Sequence, residues 1–139
     1  MRRLPLNLHD TYGHIRMAVY AAGLDVEIRS AARLPGNMMG CYSERTRTIL
    51  IDRRLPYVAK RCVLVHELVH WQHGDDRCGL HEQRTREETA RLLISPLEYA
   101  MAERLYEGNI WGIADELSVT TNIINDYQTM LHERNRVHA

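Results

Sequence analysis

The stretch from Pro56 to Gly74 restricts this chain more than any other. Proline is favoured in the first turn of a helix and glycine just past its end. Between the two, Val58, Cys62, Val65 and Val69 recur at helical spacing, which predicts one long helix. Inside it lies His66-Glu67-Leu68-Val69-His70, an H-E-x-x-H sequence. Residues four apart share one helix face, so imidazoles at 66 and 70 can meet a single metal ion. Both continue the stripe of Ala59 and Cys62 rather than the polar face. Glu67 follows the first imidazole directly, and its carboxylate can reach a water on the metal without being a ligand. Zinc lowers the pKa of such a water towards ~7 and polarises a carbonyl. The carboxylate accepts the proton and passes it to the leaving amine. The plainer alternative is a helix bearing two surface histidines and a solvated glutamate.

A catalytic zinc site needs a third protein ligand and an open position. Candidates downstream are His73, Cys78, His81, Glu82, Glu87 and Glu88. His73 is one turn beyond His70, and a ligand there would have to leave the helix to complete a tetrahedron. On the helix expected over 81–94, positions 82, 85, 89, 92 and 96 fall on one stripe, and Thr85, Thr89, Leu92 and Pro96 suit an inward face. A glutamate at its start, Glu82, points towards the neighbouring helix, whereas Glu87 and Glu88 lie off the stripe among arginines.

A chain of 139 residues fits one domain that needs no metal or disulfide to hold its core, so a metal here serves chemistry rather than folding. No apolar run approaches the ~20 residues of a bilayer span. The start of the chain has arginines but no apolar segment after them, which argues against a secretory signal. The cysteines, Cys41, Cys62 and Cys78, are odd in number and form no close pair, as expected of reduced thiols in the cytoplasm. Net charge is zero but uneven. Residues 1–65 carry 11 Lys and Arg against 5 Asp and Glu, and residues 66–139 carry 7 against 13. The simplest expectation is that the two halves attract each other.

Around the long helix, residues 9–22 read as a helix closed by Gly23, and Asp25 to Arg29 as a strand with Val26 and Ile28 on one face. Met39 to Ser43 and Arg47 to Ile51 read as a hairpin turning at Glu44-Arg45-Thr46. Three such strands predict a small antiparallel sheet. Beyond Pro96, helices are expected over 97–106, 110–117 and 121–132.

The run Cys62 to His70 is preceded by Met39-Gly40-Cys41-Tyr42 and Thr48-Ile49-Leu50-Ile51-Asp52. It is followed by Glu82, Thr85, Ala90, Leu92, Leu93, Ile94 and Pro96. Over residues 9–131 this order resembles the ImmA/IrrE-type metallopeptidases of bacteria, mobile elements and phages. The resemblance implies a zincin-like α+β fold, with the three-stranded antiparallel sheet packed on the H-E-x-x-H helix and a helical C-terminal half. It implies Zn²⁺ or Mn²⁺ held by His66, His70 and Glu82, with Glu67 catalytic. It also implies a cytosolic endopeptidase whose substrates are often helix-turn-helix repressors. The chain departs from the family's usual pattern after the third ligand, where it has Thr85, Arg86 and Glu88, and the link from His70 to Glu82 is short. In zincin-like sites an edge strand beside the metal pairs with the extended substrate. Gly40 to Ser43 is that strand here, Gly40 allowing close backbone approach and Tyr42 assisting at the oxyanion. An ordinary hairpin strand and a packed tyrosine are the alternatives.

Ile113 to Ile124 resembles a helix-turn-helix, which raises a different function: a regulator acting by binding. From Leu105 to Glu133, however, there is no Lys or Arg, while Glu107, Asp115, Glu116, Asp126 and Glu133 are acidic. DNA affinity rests on cations facing phosphates, so direct DNA binding is not expected. A non-catalytic metal-binding anti-repressor is the remaining alternative. The expectation is thus one metallopeptidase domain over 1–139, with a catalytic core at 9–96 and a helical subdomain at 97–139.

Overall fold

Local sequence chemistry sets where each helix begins and ends in the computed structural model, which describes residues 1–75 and 82–138. Helix α1 (Tyr12–Ala21) starts at Thr11, whose hydroxyl accepts from the His14 amide at 3.2 Å. Helix α2 (Tyr57–His73) starts just after Pro56 and ends at Gly74, which takes the left-handed conformation (φ 69°) that glycine adopts without strain. Helix α3 (Glu82–Leu93) is followed by α4 (Pro96–Leu105), with Ser95 capping and Pro96 in the first turn. Asn109 caps α5 (Ile110–Leu117), and α6 (Thr121–His138) completes the described elements.

The strands are β1 (Glu27–Ala31), β2 (Gly40–Ser43) and β3 (Thr48–Asp52), in the order β1-β3-β2. β2 and β3 form the expected antiparallel hairpin, but β1 runs parallel to β3. The sheet is therefore mixed, and the expectation of an all-antiparallel sheet is corrected. The reason is burial. Ile49 and Ile51 of β3 are fully buried, so the most apolar strand takes the centre, and residues 32–39 carry the chain past it to the far edge.

Helix α2 lies across β2 and β3 and also packs on α1 and α3; α3 in turn packs on α6. Leu64, Val65, Leu68 and Val69 of α2 are fully buried. Val58, expected in that stripe, is exposed at the first turn. On α3 the buried residues are Thr85, Thr89, Ala90 and Leu93, while Leu92 and Pro96, expected inward, face solvent. After Thr89 the stripe steps by four rather than three, because Leu93 and Ile94 drop into the core. No helix among the described residues is long and apolar enough to cross a membrane.

The two sheet edges differ. Met39 O accepts from Asp52 N at 2.9 Å, so by antiparallel alternation Gly40 and Tyr42 turn their backbone groups outward. On the opposite edge, the Arg16 guanidinium donates to the outward carbonyl of Ile28 at 2.8 Å. Among the described residues, only the β1 edge has a charged side chain bonded to an outward backbone group.

Candidate metal centre

Two helices bring the polar groups together. His66, Glu67 and His70 come from the middle of α2 and Glu82 from the first turn of α3. The Glu82 carboxylate spans both rings: Oε1 is 3.0 Å from His66 Nε2, and Oε2 is 3.5 Å from His70 Nε2. The rings themselves lie 5.1 Å apart, nearly edge to face. His66, Glu67 and His70 each bring one donor atom within 4.8 Å of the others, a grouping able to hold a metal ion.

The electrostatics match that geometry. Hydrogen bonds from His66 and His70 hold the Glu82 carboxyl far below the usual carboxylate range. Burial alone would depress the His70 imidazole, but its bonds to Glu82 and Asp75 and the charge of Glu67 lift it to about 9. Glu67 is buried, and that burial raises its pKa against the opposing pull of His66 and His70. A carboxyl group whose proton affinity is raised by desolvation suits a general base.

Asp75 was not anticipated. Its Oδ1 sits 2.6 Å from His70 Nδ1, and Arg84 pairs with its other oxygen. A carboxylate on Nδ1 fixes the tautomer and leaves Nε2 to face Glu82. Helical periodicity could not find Asp75, since the chain leaves the helix at Gly74. The signal was only that an acidic residue follows the cap directly.

The remaining candidates separate. His73 Nε2 bonds Glu88 Oε2 at 2.8 Å, so these two engage each other. Glu87 accepts from Gln83. Cys78 and His81 lie outside the described residues. Gly40 lies against the centre: a Cβ there would come 2.4 Å from Val63 Cγ1 and 3.5 Å from Glu67 Oε2. Tyr42 is not brought to the centre. It is buried, and its hydroxyl donates to Glu44 Oε1 at 2.6 Å, within a cluster that also holds Arg2.

A cleft of ≈ 510 Å³ opens in front of His66, Glu67 and Glu82. Its lining also includes Met39 and Gly40 at the start of β2, Ala59, Cys62 and Val63 of α2, and a wall of Thr120, Asn122, Ile123, Asn125 and Asp126 from the start of α6. Sequence reasoning missed that wall, because α6 lies more than fifty positions after His66 and long-range packing, on α3 among others, brings it there. No protein-family model, curated protein or solved structure matches this chain.

Proposed function

We propose that this chain is a zinc-dependent endopeptidase of zincin-like arrangement, in which Glu67 is the general base and His66, His70 and Glu82 hold the metal. The observation that carries the reading is the Glu82 carboxylate set between two Nε2 atoms of one helix face. Two imidazole nitrogens and a carboxylate form a donor set that fits Zn²⁺ and also accepts Mn²⁺. A zinc ion so held supplies a Lewis acid that acidifies water and polarises a peptide carbonyl. Glu67, buried beside the cleft, is placed to act as the general base, where it would accept a proton from a water and return it to the departing amine. Asp75 keeps His70 aimed, and bonds from His70 and Arg84 keep Asp75 charged. The outward backbone of Gly40 receives an extended peptide along the β2 edge of the sheet.

The resemblance to ImmA/IrrE-type peptidases suggests a cytoplasmic protein substrate such as a helix-turn-helix repressor. DNA binding by α5 and α6 themselves is not part of the reading, since the first turns of α6 line the cleft and carry no cation.

The test is metal content together with turnover. Wild type should bind about one zinc per chain, and His66→Ala and Glu82→Ala should lose most of it. Glu67→Gln should keep the metal and lose metal-dependent cleavage of a casein or repressor substrate. Stoichiometric zinc in Glu82→Ala rejects Glu82 as a ligand. A Glu67→Gln variant that acts on its target as well as wild type rejects hydrolysis, in favour of an anti-repressor that works by contact.

A further inference from the structure

Two carboxylates line the cleft without a hydrogen bond or ion pair to any described residue: Glu67 and Asp126. The other carboxylates around the centre are engaged, Glu82 by His66 and His70, Asp75 by His70 and Arg84, Glu88 by His73. The proposed chemistry uses Glu67 and leaves Asp126 without a role. Asp126 sits in the second turn of α6, partly buried, and lines the same cleft as Gly40. Burial raises its pKa against the opposing charges of Arg86 and His66, and it lines the same cleft as His66 and Glu82. A partly desolvated carboxylate with no donor of its own is costly to keep unless something binds to it. Arg86, the one cation among the described lining residues, pairs with Glu82 at 3.7 Å and not with Asp126.

A peptide laid on the Gly40 edge alternates its side chains, and those directed across the cleft meet α6. The polar groups that α6 presents to the cleft are Asn122, Asn125 and Asp126. We propose that Asp126 is a specificity-determining residue which binds the lysine or arginine side chain of a peptide next to the scissile bond. Asn122 and Asn125, both exposed beside it, supply amides for the peptide backbone. This inference rests on the metallopeptidase reading and names the class of substrate that its cleft takes.

Hydroxamates bound to the zinc-loaded full chain test it without requiring turnover. Two series are needed, one with the side chain N-terminal to the chelating group and one with it C-terminal, each carrying arginine, norleucine or glutamate. In one series, arginine should bind wild type about tenfold or more tighter than norleucine, as a charge-assisted hydrogen bond to a carboxylate would give. Asp126→Asn should remove that preference, and Asp126→Lys should turn it towards glutamate. Equal affinity for arginine and norleucine in both series, or a preference that survives Asp126→Asn, overturns the inference and leaves the metal centre standing. Failure of every hydroxamate to bind overturns the metal reading and this inference with it.

Discussion

With Nδ1 of His70 committed to Asp75 at 2.6 Å, Nε2 is the only ring nitrogen left to face Glu82. Asp75 is itself held by Arg84, so a chain of three charged or polar groups ends on one proposed ligand. Such partners raise the basicity of the imidazole and remove its rotational freedom, and their loss typically weakens metal binding ~10–100-fold. Asp75→Ala should therefore reduce zinc affinity by about that factor while the fold persists, as read by competition with a chelator of known affinity. Retention of wild-type affinity would mean that the ring is oriented by packing alone. His73 offers a contrast one turn later on the same helix. Its nitrogen is engaged by Glu88, so this histidine, whose spacing already disfavoured it as a third ligand, does not join the centre.

At the level of elements, β2 and α2 meet at Gly40, where no side chain fits. A Cβ would lie 2.4 Å from Val63 Cγ1 and 3.1 Å from the Leu50 carbonyl. Gly40→Ala should destabilise the protein by about 1–3 kcal/mol, in the range for overpacking a close contact, measured as a fall in the urea midpoint. Val63→Ala in the same chain should recover part of that loss by opening the space, a coupling that independent sites would lack. Gly40 was legible in the sequence only through a resemblance, because a glycine in a strand does not say what approaches it. The long helix and its two imidazoles were legible from first principles, since Pro56, Gly74 and a 3.6-residue stripe mark its ends and its face. Glu82 was legible through the stripe of Thr85 and Thr89, although the same stripe misplaced Leu92. The parallel pairing of β1 with β3 was not. Strand patterns give faces, whereas neighbour order depends on which strand the rest of the fold buries. The wall built by α6 was hidden for a related reason: Asn122 and Asp126 read as polar positions on a surface helix until α3 places that helix against the centre.

Over the whole molecule, the unequal charge of the two halves does not appear as Arg–carboxylate pairs between them among the described residues. Among the described residues, every Arg–carboxylate pair falls within its own half: Arg2 with Glu44, Arg54 with Asp52, Arg84 with Asp75, Arg86 with Glu82. Arginines that cross between the halves go to carbonyls instead. Arg2 donates to Trp71 O, and Arg61, itself buried in α2, donates to Leu8 O at 2.7 Å and Ser118 O at 2.6 Å. Arg61 thus ties the N-terminal arm, the metal helix and the turn that launches α6. Ser118 closes α5 in the left-handed conformation (φ 53°), so its carbonyl is an end group that the helix cannot satisfy. Arg61→Met keeps the apolar stem but leaves both carbonyls short of a donor, at a cost of about 2–3 kcal/mol by denaturant unfolding. The same substitution should speed amide hydrogen exchange in the first turns of α6 more than in α1, because only α6 takes its position on the cleft through Ser118. Equal exchange in both helices would show that α6 is held to the cleft by its apolar packing on α3, with Arg61 serving the N-terminal arm alone.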